Sequence, residues 1–134
     1  MNLSKSLFLF ISTLISALSV GQNQVNLKEL KFEQNDENIQ VIPLASDTNS
    51  SSFYIQVVER VKAHVHKNHS EIIYVVQGEA KMILGSDTLQ IKEGDFIEIP
   101  KNTIHAVEVT SLEDLRVLST QSPKFIGVDR HFVE

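Results

Sequence analysis

From Phe53 onward the sequence is a succession of short strand-like runs with a turn signal roughly every eight to twelve residues, the pattern of an all-β sandwich or barrel. The runs are 53–61, 62–66, 72–77, 80–84, 88–92, 95–99, 105–110 and 115–120. Gly85-Ser86-Asp87 reads as a hairpin connection between Ile83 and Leu89. Glu93-Gly94-Asp95 reads as a second turn, and Leu112-Glu113-Asp114 as a third near the end of the series. Beyond the N-terminal segment there is no long apolar pattern of 3.6-residue period, so helices are expected to be short or absent.

Within that series, residues 64–78 combine a chemistry with a fold signal. His64 and His66 are two apart, which on a strand places both side chains on one face, roughly 6 to 7 Å apart. Two imidazoles at that separation can converge on one ion at bond lengths of about 2.0 to 2.1 Å. Glu71 lies an odd number of residues beyond His66 and would face away on a straight strand. The polar segment Lys67-Asn68-His69-Ser70 breaks the strand, so Glu71 can open a new one facing the same interior. Two neutral nitrogens and a carboxylate suit a divalent transition metal. A second stretch supplies a further candidate. Gly94 supports a turn with positive φ, Pro100 stops the strand before it, and Asn102 is the non-glycine residue that best tolerates left-handed φ. That turn leads to His105. If its strand pairs antiparallel with the one carrying His64, His105 becomes a third nitrogen for the same ion.

With both stretches in hand, the sequence resembles the cupin superfamily, most closely its small single-domain, quercetin-dioxygenase-like members. His64, His66, Glu71 and Gly78 match the pattern H-x-H-x4-E-x6-G; Gly94, Pro100, Asn102 and His105 match G-x5-P-x-(G)-x2-H. The two occur in order, separated by the short segment 79–93. The resemblance covers about residues 53–120. It implies a double-stranded β-helix, or jelly-roll barrel, holding one divalent transition ion (Fe, Mn, Zn, Ni or Cu) through His64, His66, Glu71 and His105, and it implies a homodimer. The sequence departs from the family pattern at Val58 and Asn102, where glycine is common, and at Val109, where an asparagine often closes the second motif. The first two leave the ligands in place. The third removes a polar group and puts in doubt any function that relies on it. His69 is read as an exposed or rim histidine, and His131 as remote from the site.

The N-terminal segment is read separately. Lys5, the apolar run 7–18 and small residues at Ala17, Ser19 and Gly21 have the layout of a secretory signal peptide, too short to span a bilayer as a helix. Cleavage is expected after Gly21, with Ser19 as the other candidate and an uncleaved anchor as the alternative. With no cysteine in the chain, a cysteine-linked lipid anchor is excluded, as are a disulfide framework, thiolate ligands and thiol nucleophiles. The expected divisions are a signal peptide at 1–21, an arm and edge strand at 22–52, the barrel at 53–120, and a tail at 121–134 that packs on the barrel or on a partner subunit. The arm is expected to lie loosely on the surface or to pair with another subunit. The protein is expected to be exported, to the periplasm or beyond. Lys5 is the one charged side chain lost with the signal segment, which moves the formal charge from −5 to −6. That balance argues against nucleic-acid binding and against an anionic membrane surface once the signal is removed.

For chemistry, the expected partner is a small organic molecule. A redox-active ion with open positions would make a dioxygenase, and a Lewis-acidic ion an isomerase or lyase. The remaining alternative is a cupin that binds a small ligand without turnover. No basic pair is evident inside the barrel, which favours an aromatic or otherwise apolar substrate. Ile73, Val75, Met82, Leu84, Phe96 and Val107 are the expected wall, with Phe53 or Tyr54 near the mouth. Tyr74 is expected on the outer face.

Overall fold

The computed structural model describes residues 24–133; the expected signal peptide lies outside the described residues. Ten strands form two five-stranded antiparallel sheets. They are β1 (Ile39–Ser46), β2 (Ser51–Val57), β3 (Arg60–Val65), β4 (Ser70–Gln77), β5 (Glu79–Leu84), β6 (Asp87–Lys92), β7 (Phe96–Ile99), β8 (His105–Val109), β9 (Leu115–Ser122) and β10 (His131–Phe132). One sheet has the order β1-β2-β9-β4-β7 and the other β10-β3-β8-β5-β6. Apart from the β1–β2 and β5–β6 hairpins, successive strands pass from one sheet to the other, which is the all-β double-stranded β-helix expected from the sequence. No helix among the described residues is long and apolar enough to cross a membrane.

The core lies between the sheets. Val57, Val75, Ala80, Met82, Ile99 and Leu115 are among its most buried members. On β4 the parity is as expected: Glu71, Ile73 and Val75 face inward, while Ile72 and Tyr74 stay about two-fifths exposed. The run expected at 53–61 is instead two strands. The chain breaks at Val58-Glu59, where it passes from one sheet to the other. Asn38 holds that crossing: its Oδ1 accepts the N–H groups of Glu59 and Arg60, and its Nδ2 donates to the Arg60 carbonyl.

Turn chemistry follows the sequence closely. The β5–β6 hairpin has Gly85 at φ 59° in its first central position, the requirement of a II′ turn. Asn102 has φ 59°, the left-handed conformation expected of it. Gly78 joins β4 to β5 at φ 85°, and a Cβ there would lie 2.8 Å from the Asp114 carbonyl oxygen. The last residue of the first motif is therefore a close-approach glycine that couples two loops.

Three expectations are corrected. The arm does not lie loosely. Phe32 is buried against Tyr54, ring centroids 5.1 Å apart, and with Val76 forms a second small core on the outer face of the first sheet. Tyr54 consequently lies fully buried beneath the arm rather than at the mouth of a pocket. Phe96 is 66 % exposed and is not an interior wall. It pairs directly with Tyr74 across β4 and β7, and directly paired residues share a face, so an outward Tyr74 requires an outward Phe96.

Candidate metal centre

His105 opens β8 directly opposite His64 on β3. A register shift between Val61 and His64 sets three residues of β3 against two of β8. Without that bulge Val61 and His64 would face opposite ways; with it both point into the barrel. His66 follows just past the end of β3. The tight turn before His105 is tied to it, because the Asn102 N–H donates to the His66 carbonyl at 2.7 Å.

The three rings form one buried cluster, with centroid separations of 4.1 Å (His64–His105), 5.0 Å (His64–His66) and 5.1 Å (His66–His105). Each offers a ring nitrogen within 4.8 Å of the others, so the three could hold one metal ion. Each Nδ1 faces a backbone carbonyl: His64 that of Lys62 at 2.8 Å, His66 that of Asp129 at 2.8 Å, His105 that of Thr103 at 3.0 Å. A carbonyl only accepts, so each Nδ1 carries the proton, and in the neutral ring each Nε2 presents its lone pair to the cluster.

Glu71 reaches the cluster from the opposite sheet. Its Oε2 lies 3.2 Å from His66 Nε2 and 3.5 Å from His105 Nε2, and its Oε1 accepts a 2.5 Å hydrogen bond from the Ser119 hydroxyl. At 3.5 Å the His105 contact is electrostatic rather than a hydrogen bond, and the buried His105 Nε2 has no hydrogen-bond partner among the described residues. Lone pairs and a carboxylate facing one another in a buried site require a cation or a proton between them. The donor set therefore fits a divalent transition ion. The electrostatics point the same way. Burial lowers the His64 pKa to about 4, with further repulsion from His105, Arg130 and His66. Burial also opposes charge on His66, but contacts with Glu71 and Asp129 outweigh it and raise its pKa. Glu71 is held well below the usual carboxylate range: burial works against its charge, and contacts with His105, His66 and Ser119 overcome that.

Two residues that the sequence reading passed over support the cluster. Asp129, 1 % exposed, comes from the C-terminal tail. Its carboxylate accepts the N–H groups of Lys67, Asn68 and His69 and the Nδ1–H of His69, while its carbonyl orients His66. This overturns the expectation of an exposed His69. That ring is 2 % exposed, its Nε2 bonds the Lys124 carbonyl at 3.1 Å, and it stands apart from the three-histidine cluster. His131 also stands apart from the cluster, but its short strand β10 pairs with β3 beside His64. The second such residue is Ser119, fully buried on β9.

The cluster borders an apolar cavity, which His64 and His105 help to line. Its walls include Ile55, Ile73, Met82, Val107 and Val117, and its polar lining residues are His64, Glu71, His105 and Arg130. Of the expected wall, Ile73, Met82 and Val107 line the cavity; Val75 and Leu84 belong to the packed core around it. Arg130, from the tail, is a lining cation where none was expected.

The comparisons agree with this architecture. Residues 52–121 match the family model described as the cupin domain. An uncharacterized protein of Aquifex aeolicus is 33 % identical over 98 residues, which are 73 % of this chain and 80 % of that protein. The quercetin 2,3-dioxygenase of Bacillus subtilis is 32 % identical over 53 residues, 40 % of this chain but only 16 % of that enzyme. Among solved structures, a conserved protein with a double-stranded β-helix domain from Klebsiella pneumoniae superposes with a TM-score of 0.71 at 17 % identity, covering 84 % of this chain and all of that one. With a matching family model over half its length, two sheets of the right topology and three histidines gathered beside the barrel cavity, the chain belongs to the cupin superfamily.

Proposed function

We propose that this protein is a metal-dependent, dioxygenase-like enzyme acting on a small organic molecule, with His64, His66, His105 and Glu71 holding the ion. The observation that carries the reading is the set of three Nδ1-anchored histidines whose Nε2 atoms, one of them buried without a partner among the described residues, face a carboxylate beside an apolar cavity. A redox-active ion bound there would supply a centre at which an organic substrate and O2 can meet. The chain's own residues bind and orient. The carbonyls of Lys62, Asp129 and Thr103 fix three tautomers, Ser119 fixes the Glu71 carboxylate, and the aliphatic walls exclude water. The part-length likeness to the quercetin dioxygenase supports the reading by analogy. We further propose that the protein is exported after cleavage following Gly21 and works as a homodimer.

Elemental analysis of protein purified from its own compartment, followed by O2-uptake assays on a substrate panel, tests the enzyme. The expected result is stoichiometric Fe, Mn, Ni or Cu and O2 consumption that His64→Ala abolishes. Zinc alone, with no O2 uptake on any substrate, contradicts the dioxygenase reading and leaves the Lewis-acid one.

A further inference from the structure

Among the described residues, Arg130 is the one lining residue of the cavity with a permanent positive charge. Its backbone is set by its neighbours: Asp129 is locked into the 67–69 loop, and His131 and Phe132 pair with Val65 and His64. Among the described residues no carboxylate comes within ion-pair distance of its guanidinium. Arg130 and Ile55 also line a second, more open groove beneath the tail, walled by Phe53, Phe125 and Val128. The two spaces share these residues, so Arg130 stands where the inner cavity meets the outside. Its side chain is solvent-exposed, and because the Asp129 carbonyl bonds His66 and Phe132 pairs with His64, Arg130 stands beside the histidines rather than across the cavity from them.

The cavity thus offers aliphatic walls, the polar groups His64, His105 and Glu71, and a lone guanidinium beside them at its mouth. A wholly apolar ligand would leave that guanidinium unused. A planar guanidinium matches a carboxylate in two parallel hydrogen bonds. We propose that the cavity takes a small molecule with an apolar body and one carboxylate, the carboxylate held at the mouth by Arg130 and the apolar body packed on the aliphatic walls beside His64, His105 and Glu71. This names the substrate class of the site proposed above and rests on that reading for its catalytic meaning, but the anion-binding step needs no metal.

The test is calorimetric titration of the full chain with phenylacetate, 3-phenylpropionate and 4-phenylbutyrate, each against its neutral primary amide. Metal-free and Zn(II)-loaded protein are compared. At least one acid is expected to bind metal-free protein about tenfold tighter than its amide, a preference that weakens as salt is added. Arg130→Gln should erase the preference without changing amide affinity, and Arg130→Lys should restore part of it. The proposal is overturned if no acid outbinds its amide, or if the preference survives Arg130→Gln. A preference that needs Zn(II) and survives Arg130→Gln places the carboxylate on the metal, which overturns the assignment and leaves the metal centre standing. Co(II) titration of the same preparations separates the two ideas. An Arg130-dependent preference in a chain that takes up no Co(II) upholds the anion site and contradicts the metal reading.

Discussion

At the scale of single residues the site is held in tension by burial. His64 is nearly sealed from water, and its pKa falls to about 4 from an ordinary 6.5. The unfolded chain therefore binds a proton in that interval that the folded chain refuses. Stability rises with pH across it and is lost as pH falls from about 6.5 towards 4, by on the order of 3 kcal/mol from this group alone. Glu71, whose pKa is depressed, adds to the acid loss below its ordinary range of about 4.5. His66, raised, acts in the opposite sense and reduces the net change. Urea midpoints of metal-free protein between pH 7 and pH 4 should show this slope, and His64→Gln should flatten it. Ser119→Ala releases Glu71 Oε1 and is expected to weaken Co(II) affinity about tenfold, read by direct titration. The candidate ligands were legible in the sequence because strand parity and the turn residues at Pro100 and Asn102 act locally. Ser119, Asp129 and Arg130 were not. Ser119 meets Glu71 across 48 residues and Asp129 meets His66 across 63, and no periodic signal links such pairs.

At the scale of elements, small departures from regularity place the side chains. The β3 bulge rephases His64 with Val61, and the sequence shows it only as a boundary near Lys62. Phe96 lies on a strand whose Ile97 and Ile99 face inward, so alternation puts it on the outer face with Glu98 despite its apolar ring, and the β4–β7 register agrees. The arm was misread for another reason. Its composition is largely polar, and Phe32, with Leu27 and Leu30 packed beside it, anchors it in the outer core with Tyr54 and Val76. Phe32→Ala should cost about 3 kcal/mol in chemical unfolding while leaving Co(II) affinity intact, because that core lies outside the barrel. Asp129→Ala should affect both measurements. It strands the N–H groups of Lys67, Asn68 and His69 and loosens the carbonyl that orients His66. A loss of about 2 to 4 kcal/mol and weaker metal binding are expected together.

At the scale of the whole molecule, the first sheet is covered on its outer face by the arm around Tyr54, while Ile72, Tyr74 and Phe96 remain exposed on β4 and β7. β7 is also an edge strand, whose unpaired backbone groups are open to pairing with a second copy. These features support the proposed homodimer. Light scattering should report twice the chain mass for the wild type, and Phe96→Glu should return it to the monomer; a wild-type monomer at micromolar concentration contradicts the dimer. The proposed export is read by N-terminal sequencing of the secreted or periplasmic form, which should begin at Gln22. The barrel joins these scales. Two sheets bring His64, His66 and His105 from one side and Glu71 from the other together beside an apolar cavity. Metal stoichiometry tests that claim most directly, measured on wild type and on His64→Ala, His66→Ala and His105→Ala after loading with Co(II) and desalting. The expected result is one ion per wild-type chain, with a d–d spectrum showing nitrogen and oxygen ligation, and loss of the ion in each variant while circular dichroism still reports folded β-structure. Folded wild type that retains no ion, or variants that retain it with an unchanged spectrum, would contradict the assignment.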